Sequence, residues 1–200
     1  MKYSTSLLAI VCLASASPVD MGPYKPESDV DAAFSSFVKE YYRVSEDKAA
    51  TISFTDFWPA DGSLVAAGKT FKGSASILAV KQKLLPPDGN KAWWHPILGA
   101  NVVSEDSKTK TINAKIIIQT TYTPGNCSQA QYVSRPLPIP FSLLFGDVAA
   151  NQLNSGNAAF TVSKDADGVP NWTPHTGGLL VYNLTVNTIQ TPTDEACTVA

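Results

Sequence analysis

The sequence predicts an α+β domain, with helices first and then a run of antiparallel strands. Three observations carry this reading. Apolar residues in the first part recur at helical spacing, those beyond residue 93 alternate with polar ones, and Pro/Gly clusters fall between these segments. At 200 residues the chain suits one domain with a sizeable core, and no internal repeat is visible.

Pro18, Pro23 and Pro26 make the start an extended leader. Ser28 or Asp29 caps a first helix that runs to about Val44, with Val30, Phe34, Phe37, Val38, Tyr41 and Tyr42 on one face. Tyr41 and Tyr42 end that stripe, where a core ring with its hydroxyl at the edge is the ordinary arrangement. Ser45 followed by Glu46 and Asp47 reads as the start of a second helix, which carries Ile52, Phe54, Phe57 and Trp58 and stops at Pro59. Residues 63–67 and the segment 68–73 give two short strands around a turn. Ser74 caps a third helix, with Ile77, Leu78, Val80 and Leu84 apolar, and Pro86-Pro87-Asp-Gly ends it.

From here the period is that of strands. Residues 93–103 read as one strand, 104–108 as a polar turn and 109–122 as the next strand. Its even positions Ile112, Ala114, Ile116, Ile118, Thr120 and Tyr122 form the inner face. Pro136, Pro138 and Pro140 preclude a central strand in that region. Residues 141–145 form an edge strand or a short helix, 151–157 a loop, 158–163 a strand and 172–188 the last strand. Asp165-Ala-Asp-Gly168 is a turn, too short for a calcium loop and without its later Glu.

Met1-Lys2, the apolar run from Leu7 to Ala14 and the small residues Ala14-Ser15-Ala16 have the form of a secretory signal peptide cut after Ala16. The run is too short to span a bilayer. The chain therefore divides into a signal (1–16), a leader (17–29), a domain (30–188) and a tail (189–200). Cys12 leaves with the signal. Cys127 and Cys197 remain, and in an oxidising compartment they most simply pair, tying the tail to the middle of the chain. Asn126, Asn171 and Asn183 begin N-x-S/T sequons. Net charge is −2, charged residues make up 16% and no basic stripe is present, so neither nucleic acid nor membrane is an expected partner.

Chemistry concentrates in Lys91-Ala-Trp-Trp-His-Pro-Ile-Leu-Gly99, which holds one of the two histidines. His95 reads either as a proton-transfer group in an apolar pocket or as a hydrogen-bonded core residue. His175, in Pro174-His-Thr-Gly, reads as a surface turn residue. Two remaining cysteines and two scattered histidines lack metal-ligand spacing, and there is no G-x-G-x-x-G, P-loop or G-x-S-x-G, so neither metal nor cofactor is expected.

The layout and four local phrases resemble the NTF2-like family, especially its SnoaL-like branch. The phrases are Tyr41-Tyr-Arg-Val-Ser-Glu-Asp47, Phe57-Trp-Pro-Ala-Asp-Gly-Ser-Leu64, Phe71-Lys-Gly73 and Trp94-His-Pro96, and the likeness covers about residues 30–188. The resemblance implies a cone: three N-terminal helices packed in a curved antiparallel sheet around an apolar pocket. Trp58, Trp93, Trp94, Ile116, Ile118 and Tyr122 are the residues expected to line it. Among relatives, the scytalone dehydratase enzymes use a pocket histidine followed by Ile and Gly at the spacing of His95, Ile97 and Gly99, with tyrosines and an aspartate from the helical part. Tyr41, Tyr42 and Asp56 are the matching candidates. The second histidine of those enzymes is missing here, where the strand reads Ile118-Gln-Thr-Thr-Tyr122.

The resemblance implies an isomerase, cyclase or dehydratase acting without cofactor on a small oxygenated ring compound of secondary metabolism. His95 is the expected base or acid, Tyr41 or Tyr42 the donor to a carbonyl oxygen, and Asp56 the group that orients the proton. The alternative is a secreted pocket protein that binds an apolar metabolite or a host partner without catalysis. The outer sheet face is the candidate surface for a homodimer. Fold alone does not choose between these.

Overall fold

Alternation of apolar and polar residues makes strands, and the strands here join into one mixed sheet. A computed structural model describes residues 19, 21–22, 24–89, 91–122 and 154–186. The order is β1 (Lys25–Pro26), α1 (Ala32–Glu46), α2 (Ile52–Thr55), β2 (Ser63–Ala66), β3 (Lys69–Lys72), α3 (Ser74–Leu84), β4 (Lys91–Trp94), β5 (Ile97–Glu105), β6 (Thr109–Tyr122), β7 (Asn154–Ser163) and β8 (Leu179–Val186). The proposed signal, Asn126, Cys127, the three prolines Pro136, Pro138 and Pro140, the 141–145 segment and Cys197 lie outside the described residues. Among the described residues no helix is long and apolar enough to cross a membrane.

The strands lie in the order β1-β5-β6-β7-β8-β2-β3, and β4 pairs with the far end of β6. The expectation of a purely antiparallel sheet is corrected at two places: β1 runs parallel to β5, and β2 parallel to β8. The leader thus adds an edge strand. It can do so because Gly99 has no side chain: a Cβ there would sit 2.9 Å from the backbone oxygen of Lys25. Register shifts between Ile97 and Gly99, between Val102 and Ser104, and between Thr161 and Val162 are irregularities of the kind that bend strands.

The α1 stripe packs on the inner sheet face. Phe34, Phe37, Val38, Tyr41 and Tyr42 are all buried. Phe160 of β7 is the hub, with ring centroids 5.6 Å from Phe34, 6.0 Å from Phe37 and 5.1 Å from Tyr41. Burying a side chain such as Phe34 or Val38 contributes about 1.5–3 kcal/mol relative to leaving it in water. On β6 the even positions Ile112, Ala114 and Ile116 are buried, as the alternation predicts.

Several boundaries differ from expectation, each for a physical reason. The first helix begins at Ala32, not Val30, with Asp31 at its N-cap position. The Asp31 carboxylate makes no cap; Oδ2 accepts from Lys110 Nζ at 3.0 Å and from Trp172 Nε1 at 2.9 Å. At its other end α1 continues through Ser45 and Glu46, so these residues do not open a second helix. The second helix is the single turn α2 and ends well before Pro59. The predicted strand 93–103 is interrupted at His95-Pro96, because proline has no N–H for a ladder. Residues 154–157, expected as loop, belong to β7, and residues 172–178, expected as strand, precede β8.

Candidate active site

The break between β4 and β5 sets His95 apart from both ladders, and its main-chain N–H turns to a side chain instead. Glu46 Oε1 accepts it at 2.7 Å and also faces the ring Nδ1 at 3.1 Å. His95 is 5% exposed, and the Glu46 side chain is 10% exposed. An ionised carboxylate only accepts, so Nδ1 carries the hydrogen and the neutral ring keeps its lone pair on Nε2. Nε2 has no hydrogen-bond partner among the described residues. The arrangement orients the imidazole from behind by a carboxylate and leaves Nε2 as the ring nitrogen not engaged by Glu46.

Glu46 owes its place to the last turn of α1 and to the turn that follows. Lys81 of α3, itself buried, donates to the carbonyls of Asp47 at 2.5 Å and Ala50 at 2.8 Å and so anchors that turn. Burial holds the Lys81 pKa below its ordinary value, with the charge of Asp47 opposing this. Trp93 Nε1 donates to the Ser45 carbonyl at 3.1 Å, which ties β4 to the same end of α1.

Three tyrosines complete the cluster. Tyr42 stacks on the imidazole, with centroids 4.6 Å apart and planes inclined by 26°, while Trp93 meets the imidazole edge to face at 5.6 Å. The Tyr42 hydroxyl shares a hydrogen bond with the Tyr182 hydroxyl at 3.3 Å, and the Tyr41 ring packs against that of Tyr182 with centroids 4.9 Å apart. Burial, then the charge of Tyr182 and the hydrogen bond to it, push the pKa of Tyr41 and of Tyr42 well above the ordinary phenol value. Burial also raises Tyr182, but the hydrogen bonds from Tyr42 and Tyr41 partly offset it, and its pKa is pushed up to about 12. All three are therefore neutral hydroxyls at physiological pH. Tyr182 is the one on which the other two converge.

Of the expected site residues, the structure brings together His95, Tyr41 and Tyr42, with Trp93 beside them. Trp58 is a core residue against Tyr41 and Phe54, at 5.8 and 5.2 Å, and its Nε1 donates to the Ser63 carbonyl. Ile116 is buried and Ile118 packs half-buried against the core. The side chains of Trp94 and Tyr122 lie outside those described. Asp56 is a correction. Its Oδ1 faces Nδ1 of His175 at 2.7 Å, so it serves the other histidine, and Glu46 holds the position expected for it. Glu46 and Tyr182 were not among the candidates. The available signal for Glu46 was its i+4 spacing from Tyr42, which continues the buried stripe. Among the described residues no group of three or more His, Cys, Asp or Glu is arranged to hold a metal ion.

No family model matches the sequence, and no curated protein matches it. Among solved structures the chain is similar to ActVI-ORFA from Streptomyces coelicolor, with a TM-score of 0.51 and 14% identity over 78% of this chain and 96% of that one. It is also similar to an aromatic ring hydroxylase candidate from Novosphingobium aromaticivorans, with a TM-score of 0.51 and 12% identity over 78% of this chain and 88% of the other. At these identities the likeness is one of fold, and the shared fold is α+β.

Proposed function

We propose that the protein is a cofactor-independent acid–base catalyst, an isomerase, cyclase or dehydratase, acting on a small oxygenated, polyketide-derived ring compound in fungal secondary metabolism. The observation that carries this reading is the double hold of Glu46 Oε1 on His95, which directs the imidazole lone pair to Nε2. In this reading Nε2 takes a proton from a carbon next to a carbonyl, Glu46 steadies the imidazolium that forms, and the proton is returned at another position. With Tyr42 as the donor in its hydrogen bond to Tyr182, the Tyr182 O–H is the one that serves the developing enolate oxygen. A positioned base is worth about 10²–10⁴ in rate, so the hydroxyls supply a substantial further part.

The signal-like start, the cysteines and the sequons support a setting in the secretory pathway, secreted or vacuolar. One matched structure is described as an aromatic ring hydroxylase candidate, in keeping with a ring substrate, although at 12% identity it contributes the fold only. Neopatulin synthase shares the signal peptide, the length and the SnoaL-like layout, so the rearrangement of phyllostine to neopatulin is the first reaction to assay. The experiment is incubation of the purified protein with phyllostine, related epoxyquinones and phenolic polyketides, followed by product analysis. Turnover that is lost in His95→Asn supports the reading; binding without turnover of any compound replaces it with the pocket-protein alternative. The close aromatic cover on His95, from Tyr42 and Trp93, is the observation that favours that alternative.

A further inference from the structure

The second histidine carries an arrangement of its own. His175 lies in the connection between β7 and β8, with φ +62°, a left-handed conformation uncommon outside glycine but enriched in histidine. Nδ1 is 2.7 Å from Asp56 Oδ1, and Nε2 is 3.0 Å from Glu40 Oε1. A neutral imidazole has one N–H; only the imidazolium donates to both carboxylates at once. The ring also meets Phe57 edge to face at 4.6 Å.

These contacts join the two segments that carry the tyrosine cluster, α1 and the approach to β8, to the end of α2. Glu40 immediately precedes Tyr41 on α1, and Asp56 precedes Phe57, whose ring is 5.4 Å from that of Tyr41. Just after His175, the Gly177 N–H donates to the Asp56 carbonyl at 3.0 Å and the Leu179 N–H to the Phe57 carbonyl at 2.9 Å, where β8 and its Tyr182 begin.

The charged groups facing His175 are Asp56 from the end of α2 and Glu40 from α1, with Arg43 paired to Glu40 through Nε at 2.7 Å and a second nitrogen at 2.6 Å. Burial works to lower the His175 pKa, but the hydrogen bonds and charges of Asp56 and Glu40 outweigh it and the value is raised. The Glu40 pKa is held below its ordinary value, first by the Arg43 hydrogen bond against the opposing effect of burial, with His175 adding to it.

We propose that Glu40, His175 and Asp56 form a protonation-operated latch, which fastens the β7–β8 connection to α1 and α2 when His175 is an imidazolium and loses one of its two contacts when His175 is neutral. The latch does not depend on the reaction proposed for His95. A histidine with a raised folded pKa adds stability that is complete below its unfolded pKa of about 6.5 and is lost as pH rises through the folded value.

The test compares thermal midpoints of the full chain and of His175→Asn between about pH 5 and about pH 9, asparagine being a residue that tolerates left-handed backbone. The expected result is a wild-type advantage that is largest at the acid end and shrinks at least about twofold by the alkaline end. An advantage equal at every pH overturns the latch and leaves a neutral packing residue. Should His175→Asn not fold, proton NMR titration of the wild-type imidazoles decides. With only two histidines, His95→Asn identifies the His175 signal. A His175 midpoint above about 6.5 supports the latch, and one at or below it overturns it.

Discussion

Glu46 Oε1 receives both the main-chain N–H of His95, at 2.7 Å, and its ring Nδ1, at 3.1 Å. One oxygen therefore fixes where the histidine backbone goes and which ring nitrogen holds the proton. Two substitutions separate these roles. Glu46→Ala leaves a buried N–H without an acceptor and is expected to cost about 1–3 kcal/mol in urea denaturation. Glu46→Gln keeps an oxygen acceptor but not the charge, and should fold with near wild-type stability while turnover falls at least about tenfold. Undiminished turnover in Glu46→Gln would remove the carboxylate from the mechanism.

The tyrosine trio gives a stability prediction. Tyr182 hydrogen-bonds Tyr42 and packs its ring on Tyr41 at 4.9 Å. Tyr182→Phe strands the buried Tyr42 hydroxyl and removes the polar group beside Tyr41, whereas Tyr42→Phe leaves the Tyr41–Tyr182 contact in place. The first should destabilise by about 1–3 kcal/mol and more than the second, as measured by denaturant midpoints at constant m-value. The reverse order would mean that Tyr42, not Tyr182, is the centre of the cluster.

Alkaline pH tests the same residues without mutation. Tyr41, Tyr42 and Tyr182 all have raised phenol pKa values, that of Tyr182 to about 12, with burial the first cause in each case. A raised folded pKa adds stability below the unfolded value of about 10, which is lost as pH rises towards and through the folded one. Stability should therefore hold to about pH 10 and then fall steeply, with part of the phenolate absorbance appearing only as the protein unfolds. If every tyrosine ionised near its ordinary value in the folded protein, the burial assigned to the trio would be wrong.

The secretory reading makes two covalent predictions. Asn183 is exposed on β8, while the Asn171 side chain is occupied in a turn: its Oδ1 accepts from the Thr173 N–H and the Thr176 hydroxyl. Asn183 is accordingly the first site to examine, and glycosidase treatment of protein from a fungal host should lower its mass. Non-reduced mass analysis should find Cys127 and Cys197 without free thiols. An unchanged mass after glycosidase or two alkylatable thiols would contradict, respectively, the sequon and the disulfide expectation.

What was legible in the sequence was local. The Phe34–Tyr42 stripe and the even positions Ile112, Ala114 and Ile116 of β6 follow from period alone, and both sets are buried. His95 stood out as a lone imidazole among aromatic residues. What escaped depends on long-range placement. Glu46 and His95 are 49 residues apart, and Asp56 and His175 are 119 apart. No local pattern says which carboxylate serves which histidine. Reading Ser45-Glu46-Asp47 as a cap hid that Glu46 continues the buried stripe one turn past Tyr42. Tyr182 points inward because of a register set by β7, which sequence alternation on β8 alone does not define.

The central claim is that His95 is a base and not only a core residue, and His95→Asn measures it most directly. Asparagine keeps a polar side chain of similar reach and can still donate to Glu46, but it cannot take up a proton at the Nε2 position. On a compound that the wild-type protein converts, the variant is predicted to fold with a thermal midpoint within a few degrees of wild type and to lose at least about a hundredfold in turnover. Full turnover in a folded His95→Asn protein, or a variant that fails to fold at all, would contradict the claim.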